Sequence, residues 1–298
     1  MRIRPWLWAV TLLLGCGPAA KPTVFMIMME NHNWGQIYGN TQSAPFINGT
    51  LLAQGARAQH YFNPVDLHPS EPNYLWLEAG TNFAVTGDDG PLADHQSSTA
   101  HLVNQLEAAH LDWRSYQEGI DGTDCPLVPA GNYVPRHNPM VFFDDVTNHS
   151  DPASPRCLAH VRPFSELSGE LQKGTAKAYN FITPDLCNDM HNACTDDPIR
   201  QGDDWLSRVV PMITASSQYR ANGTIIVTWD EGELSDGPIG MIVLSPHAKA
   251  GFADIETTYD HSSTLKTIQE IFRLTPLLGA AADPATHDLA SLFGSLPH

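Results

Sequence analysis

The chain has 298 residues, of which 42% are hydrophobic, and a formal net charge of −17 with only 16 lysines and arginines. This length allows one large α/β domain or two small ones, and the apolar content is enough for a sizeable core. The acidic balance argues against a nucleic-acid partner, because nucleic acids are bound mainly through lysine and arginine.

Residues 1–21 are predicted to be a targeting segment and a short linker outside the fold. Arg2 and Arg4 precede an apolar run at 6–14 that is too short to span a bilayer stably. The following Leu13-Leu14-Gly15-Cys16 is similar to a bacterial lipoprotein signal, in which Cys16 carries a lipid anchor to the membrane. Ordinary secretion is the alternative. Both interpretations predict an exported protein, either an outer-membrane or periplasmic lipoprotein or a secreted one.

Four further cysteines predict two disulfides, because an even number of cysteines in an exported protein is typical of a disulfide framework. Three pairings are open, and proximity in sequence favours Cys125–Cys157 and Cys187–Cys194. The chain contains no Cys-x-x-Cys, which disfavours a cysteine zinc site.

The N-terminal part predicts alternating strands and helices. The apolar run at 24–29 is typical of a strand buried on both faces, and it ends at Glu30. Pro69 and Pro72 bracket Ser70 at the start of a helix that Gly80 ends. The Ser70 hydroxyl can cap this helix or act as a nucleophile, because helix N-termini attract anions. The other elements predicted here are a helix at 45–54, strands at 57–62 and 112–117, and a helix at 100–109.

Residues 120–164 contain many prolines and two cysteines but little periodicity. We expect an excursion near the site, stapled by a disulfide. Strands are predicted at 178–183, 223–228 and 241–245, the last two as candidate neighbours, and helices at 203–216 and after a cap at Ser262 or Ser263. The pattern predicts a single domain at 22–298, with an α/β three-layer sandwich and a mostly parallel central sheet.

Three predicted strands end in acidic residues, and two histidines are further candidate ligands: Glu30, Asp185, Asp230 with Glu231, His191 and His261. In open α/β sheets the ligand site lies at the carboxyl ends of the strands. Carboxylates that meet there repel one another unless a cation neutralises them. The sequence therefore predicts a metal site.

Five stretches occur in the order found in the phosphoesterase family: Met29-Glu30-Asn31-His32, His68-Pro69-Ser70-Glu71-Pro72-Asn73-Tyr74, Phe181-Ile182-Thr183-Pro184-Asp185-Leu186-Cys187-Asn188-Asp189-Met190-His191, Thr228-Trp229-Asp230-Glu231 and Tyr259-Asp260-His261-Ser262-Ser263. The chain resembles this family over residues 24–274. The family joins bacterial phospholipases C with acid phosphatases inside the alkaline-phosphatase-like superfamily. The resemblance implies an alkaline-phosphatase-like fold and hydrolysis of phosphoric esters.

The resemblance also implies a role for each matching position. Ser70 matches the nucleophile, which also contacts the activating metal, and Asn31 matches a donor to a phosphate oxygen. His261 matches a metal ligand or phosphate contact. The positions that match other metal ligands are Glu30, Asp230 and Glu231 for the activating metal and Asp185 for a second one. Relatives with two metals have a histidine four residues after that Asp; here Asp189 occupies this position and His191 follows, so either is a candidate.

The residue types suit metal-assisted attack by a serine. A serine hydroxyl is a poor nucleophile at neutral pH, and a divalent cation on its oxygen lowers its pKa. We expect one or two divalent ions. Carboxylates suit Mg, Mn or Ca as well as Zn, whereas imidazole from His191 or His261 shifts the preference toward Zn. Attack gives a phosphoseryl enzyme that water hydrolyses, and His261 or His32 protonates the leaving group.

Other hydrolase classes fit less well. Sulfatases carry arginine where this chain has Tyr74, and Gly-x-Ser-x-Gly is absent. The expected function is therefore an acid phosphatase that acts on small phosphomonoesters. A phospholipase C or other phosphodiesterase is the alternative, and a non-catalytic surface lipoprotein that binds a metal or a partner is the alternative from another class.

Overall fold

The computed structural model describes residues 20–233 and 236–298. The predicted signal sequence and Cys16 lie outside these residues. In the part of the chain that is described, no helix is long and apolar enough to cross a membrane.

A sheet of eight strands forms the centre of the molecule. In chain order the strands are β1 (Thr23–Met29), β2 (Ala56–Ala58), β3 (Trp113–Gln117), β4 (Val161–Pro163), β5 (Tyr179–Thr183), β6 (Gly223–Trp229), β7 (Met241–Leu244) and β8 (Ala253–Asp254). Their order across the sheet is β4-β3-β5-β1-β6-β7-β2-β8. The run from β4 to β6 is parallel, and β7 is antiparallel to both of its neighbours, β6 and β2.

Helices connect these strands and cover the sheet. They are α1 (Trp34–Ile37), α2 (Leu52–Gln54), α3 (Ser70–Ala79), α4 (Leu102–Ala108), α5 (Asp144–Thr147), α6 (Pro155–His160), α7 (Leu167–Lys173), α8 (Pro198–Thr214), α9 (Ser217–Asn222) and α10 (His261–Ile271). Every residue of β1, β5 and β6 is buried, so both faces of the sheet are covered at its centre. This arrangement confirms the predicted α/β sandwich with a mostly parallel sheet.

Most elements lie within a few residues of their predicted bounds, and the differences arise at caps. The helix predicted from residue 203 begins at Pro198, because the Asp197 side chain accepts a hydrogen bond from the Arg200 N–H. The prediction that Ser262 or Ser263 caps α10 was wrong. The carboxylate of Asp260 accepts from the backbone N–H groups of both serines and is the cap.

The segment 120–164 contains a disulfide between Cys125 and Cys157, and a second disulfide joins Cys187 to Cys194. Both pairings agree with the prediction from proximity. The segment is less irregular than predicted: it contains 3₁₀ turns at Pro135–His137 and Pro139–Phe142, the helices α5 and α6, and the edge strand β4.

Candidate active site

Two carboxylates lie side by side at the carboxyl edge of the sheet. Glu30 follows β1 and Asp230 follows β6, and the last residues of these parallel strands, Met29 and Trp229, are paired in register. Both carboxylate residues are fully buried. The backbone N–H of Asn31 donates to Asp230 Oδ1 at 2.9 Å, from a residue with a positive φ of 50° that asparagine tolerates well.

Ser70 brings a hydroxyl group to these carboxylates. It is the first residue of α3, and its Oγ donates to Glu30 Oε2 at 3.2 Å. Of the two roles open to Ser70, the helix cap is not the one observed, because Pro69 occupies the cap position and the serine hydroxyl makes no cap hydrogen bond. One turn further along α3, the Tyr74 hydroxyl donates to the other oxygen of Glu30, Oε1, at 2.5 Å.

Asp189 adds a third buried carboxylate. Its backbone carbonyl accepts from the Glu30 N–H at 2.9 Å, and its Oδ1 accepts from the His191 N–H at 2.8 Å. Burial raises the pKa of Glu30 and of Asp189 well above the usual range, and the negative charge of Asp230 raises both further. Burial also raises the pKa of Asp230, against the hydrogen bond from the Asn31 N–H. Three carboxyl groups therefore lie close together, and no lysine or arginine of the described residues forms an ion pair with them.

His137 and His191 complete a set of groups that suits a metal ion. Ligand atoms of Glu30, His137 and His191 all lie within 4.8 Å of one another. His137 Nε2 lies 3.4 Å from Glu30 Oε1, and its Nδ1 lies 3.5 Å from Asp189 Oδ2. Burial lowers the pKa of His137 well below 6.5, so the ring is a neutral donor at physiological pH.

Three buried polar atoms in this group have no hydrogen-bond partner among the described residues: His137 Nε2, Asp189 Oδ2 and Asp230 Oδ2. Leaving buried polar atoms unpaired is costly, and a divalent cation would satisfy atoms of this kind and offset the repulsion between the carboxylates. The residues present therefore fit a metal ion held by oxygen and imidazole donors.

Glu231 contacts other side chains than the three potential ligands do. Its Oε2 accepts from Asn73 Nδ2 at 3.0 Å and contacts His68 Nδ1 at 2.8 Å. Burial and the charge of Asp230 raise the pKa of Glu231 to about 8. His68 Nε2 also lies 2.6 Å from Asp236 Oδ1, so this imidazole joins two carboxylates at the rim of the site.

His261 lies behind the carboxylates rather than among them. Its Nε2 contacts the Asp230 backbone carbonyl at 2.7 Å, and its Nδ1 contacts the Tyr61 hydroxyl at 3.0 Å. Both ring nitrogens are thus engaged by protein groups, which leaves neither of them available to a metal in this arrangement.

The remaining sequence candidates lie nearby in other roles. Asp185 Oδ1 accepts from the backbone N–H groups of Cys187 and Asn188 at 3.0 and 3.1 Å, which organises its own turn. His32 Nδ1 contacts the Glu30 carbonyl at 3.0 Å. The side-chain amide of Asn31 is half-buried and has no hydrogen-bond partner in the described residues. Asp185 is not part of the group of three potential ligands.

The sequence patterns do not predict the contacts of His137, Tyr74 or His68. His137 lies in the segment 120–164, which was expected near the site, but the segment has no periodicity that would single out one histidine. Tyr74 and His68 lie in the stretch around Ser70. The helical spacing of Ser70 and Tyr74, four residues apart on one face, is the signal that would have identified the tyrosine.

The chain is similar to known proteins over most of its length. A model of the Phosphoesterase family matches residues 46–275. A phosphatidylinositol-3-phosphatase of Mycobacterium tuberculosis is 32% identical over 282 residues, which cover 93% of this chain and 86% of that protein. A probable acid phosphatase of Kluyveromyces lactis is 28% identical over 88% of this chain and 60% of its own length. A phosphate-repressible acid phosphatase of Penicillium chrysogenum is 28% identical over 77% of this chain and 54% of its own length. The chain thus spans little more than half of these two fungal proteins.

Solved structures show the same fold at low sequence identity. A phosphonate monoester hydrolase from Silicibacter pomeroyi has a TM-score of 0.58 and 11% identity over 93% of this chain and 77% of its own. A protein of the alkaline phosphatase superfamily from Vibrio parahaemolyticus has a TM-score of 0.57 and 11% identity over 89% of this chain and 70% of its own. Together with the match to the family model, these similarities show that the chain belongs to the Phosphoesterase family and is a hydrolase of phosphoric ester bonds.

Proposed function

We propose that this protein is a metal-dependent phosphomonoesterase in which Ser70 is the nucleophile. The observation that carries the proposal is the position of the Ser70 hydroxyl, at the first residue of α3 and 3.2 Å from the buried carboxylate of Glu30. The partial positive charge at a helix N-terminus favours the alkoxide and an incoming phosphate. Three relatives that carry phosphatase names support a monoester substrate.

The metal would be held by Glu30, His137 and His191, with Asp189 and Asp230 as neighbouring carboxylates. A bound divalent cation lowers the pKa of a coordinated hydroxyl and neutralises charge on a phosphoryl group. Two imidazoles in the donor set favour zinc or another transition metal over magnesium or calcium. The unpartnered atoms of His137, Asp189 and Asp230 support this assignment independently of sequence similarity.

The chain's own residues supply the proton transfers. Glu30 accepts the hydrogen bond of the Ser70 hydroxyl, so its carboxylate, when ionised, is the proposed acceptor of the serine proton. Tyr74 holds the other carboxylate oxygen, which fixes the orientation of Glu30. For the leaving group, the contacts favour His32 over His261, because only Nδ1 of His32 is engaged by a protein group in the described part of the chain.

The substrate is proposed to be a phosphomonoester, either small or attached to a lipid headgroup. The lipid candidate is included because a relative that shares 32% identity is named for a phosphoinositide substrate. Export is proposed from the two disulfides, since such bonds persist in oxidising compartments. Anchoring through Cys16 is part of the same proposal, and mass spectrometry of the membrane fraction would detect the lipidated cysteine.

A substrate and metal panel tests the proposal. The chelated protein is supplied with Zn, Mn, Mg or Ca and assayed on p-nitrophenyl phosphate, bis(p-nitrophenyl) phosphate and vesicles containing phosphatidylinositol 3-phosphate. We expect metal-dependent release of phosphate from monoesters and at least about tenfold slower hydrolysis of the diester. Turnover of the diester alone would assign a phosphodiesterase. Metal-dependent stabilisation without any turnover would favour the non-catalytic binding protein.

A further inference from the structure

Once ionised around a metal ion, the carboxyl groups of the candidate site present negative charge to an entering phosphate dianion. Glu30, Asp189 and Asp230 are buried together, and Glu231 lies at their edge. One metal ion offsets only part of this charge. A cationic side chain near the mouth would therefore help to hold the substrate phosphate.

Arg136 is positioned to provide that charge. It directly precedes His137 in the 3₁₀ turn Pro135–His137, and its side chain is 22% exposed. Its ionic contact in the described residues is Asp88, whose Oδ2 lies 3.5 Å from the guanidinium Nε. Nε is buried and makes no hydrogen bond to a described residue. A guanidinium that protein acceptors do not saturate is suited to bind a phosphate oxygen through its terminal nitrogens.

Asp88 connects Arg136 to the start of α3. Its Oδ1 accepts from the backbone N–H of Glu71 at 3.0 Å, and Glu71 directly follows Ser70. The Arg136–Asp88 pair therefore spans from the residue before His137 to the residue after Ser70. Both residues line a cavity of about 140 Å³ that also contacts Pro135 and Leu127.

We propose that Arg136 binds a non-bridging oxygen of the substrate phosphate and that Asp88 competes with the phosphate for the guanidinium. The inference rests on the proposed function, because it takes the carboxylate group as the reaction site. The competing explanation is that the pair only ties the segment 120–164 to the start of α3. The two explanations differ in what removal of Asp88 does to phosphate affinity.

The experiment measures inorganic phosphate in two ways on the metal-loaded full-length protein: as a competitive inhibitor of p-nitrophenyl phosphate hydrolysis and by direct calorimetric titration. The variants are Arg136→Met, Arg136→Lys and Asp88→Asn. Asparagine keeps an oxygen for the Glu71 N–H, so this change removes charge with little loss of structure. Matched controls are Arg200→Met and Asp204→Asn, which disrupt another arginine–aspartate pair, 2.9 Å apart on α8.

We expect Arg136→Met to weaken phosphate binding at least about tenfold and to raise KM by a similar factor. Arg136→Lys should restore part of the affinity, and Asp88→Asn should leave it unchanged or tighten it. Phosphate affinity of Arg136→Met within twofold of the wild type overturns the proposal. The proposal is also overturned if Asp88→Asn loses as much phosphate affinity as Arg136→Met, because that is the result expected if the pair only ties the two segments together. If the wild type hydrolyses no substrate, the proposed function fails, while calorimetry still decides the role of Arg136.

Discussion

The hydroxyl of Ser70 donates a hydrogen bond to the carboxylate of Glu30, across 40 positions of the chain. Glu30 is held by the end of a buried parallel strand, and Ser70 by the first turn of a helix. Both elements are rigid, so the distance between the two groups is set by the packing of α3 at the edge of the sheet. If Ser70 is the nucleophile, as proposed, this packing holds its hydroxyl at a constant distance from the Glu30 carboxylate, and such pre-organisation favours reaction.

Replacement of Ser70 by alanine is expected to reduce kcat for p-nitrophenyl phosphate at least about 1,000-fold, since it removes the hydroxyl that is proposed to form the covalent intermediate. Ser207→Ala on α8 is the control, because its Oγ donates only to the Asp204 carbonyl. The circular dichroism spectrum should be the same in both variants. Activity of Ser70→Ala near that of the wild type would remove the serine from the mechanism.

Replacement of Tyr74 by phenylalanine tests the orientation of Glu30. The change removes the donor to Glu30 Oε1 but keeps the ring, which stacks on His137 with centroids 5.1 Å apart. A buried hydrogen bond to a carboxylate contributes about 1.5–3 kcal/mol. We therefore expect kcat/KM to fall about ten- to one-hundredfold while KM changes little. An unchanged kcat would show that Glu30 does not depend on this bond.

The imidazole of His137 is expected to be needed for metal affinity. His137→Gln should weaken binding of Zn or Mn at least about tenfold, measured by titration of the chelated protein. His160→Gln is the control, because His160 stacks on Trp113 and its ionic contacts are Glu107 and Asp112, which are not candidate ligands. Metal should also raise the Tm of the wild type more than that of His137→Gln. Equal metal affinity in the two proteins would exclude His137 as a ligand.

The stability of the fold is expected to depend on the protonation of His101. This buried ring contacts Glu78 at 3.2 Å and Asp145 at 3.1 Å, and it stacks on Phe143. Burial lowers its pKa, but the two carboxylates outweigh burial and raise the pKa above 6.5. The stabilisation is therefore fully present below about pH 6.5 and is lost as the pH rises through the raised folded-state value.

Unfolding in urea between pH 6 and 9 measures this effect. As the pH rises, the free energy of unfolding of the wild type should fall relative to that of His101→Gln, by at most about 1.4 kcal/mol per pH unit. His149→Gln serves as the control, because this histidine is 78% exposed although it contacts Asp144. A difference between wild type and His101→Gln that stays constant with pH would contradict the prediction.

The disulfide between Cys125 and Cys157 is expected to support both stability and activity. It joins residues 32 positions apart, whereas the second disulfide joins residues 7 positions apart. Loss of the first should therefore lower the free energy of unfolding by about 3–4 kcal/mol, and loss of the second by about 2–3 kcal/mol. The larger loop also contains His137, so Cys125→Ser/Cys157→Ser should lower metal affinity as well. A double variant with unchanged metal affinity would show that the segment holds His137 without this bond.

Local patterns predicted the elements that present the site more reliably than they predicted its contacts. The apolar runs before Glu30 and Asp230 identify buried strands, and parallel pairing of β1 with β6 then brings the two carboxylates together. The same local patterns could not distinguish Ser70 as a cap from Ser70 as a side chain turned toward Glu30. That outcome depends on how far α3 lies from the sheet edge, which no short-range periodicity encodes.

The sequence by itself determined the α/β class, the family and the strands that end in carboxylates, because these follow from hydrophobic periodicity and motif order. Proximity in sequence favoured the two disulfide pairings, and the structure selected them among three possibilities. Only the tertiary structure decided which histidines reach the carboxylates. His137 comes from an aperiodic segment and packs against Glu30 and Asp189, whereas His261 uses both ring nitrogens on protein groups. Contacts of this kind depend on long-range packing between the excursion, α3 and α10, and that packing leaves no local pattern in the sequence.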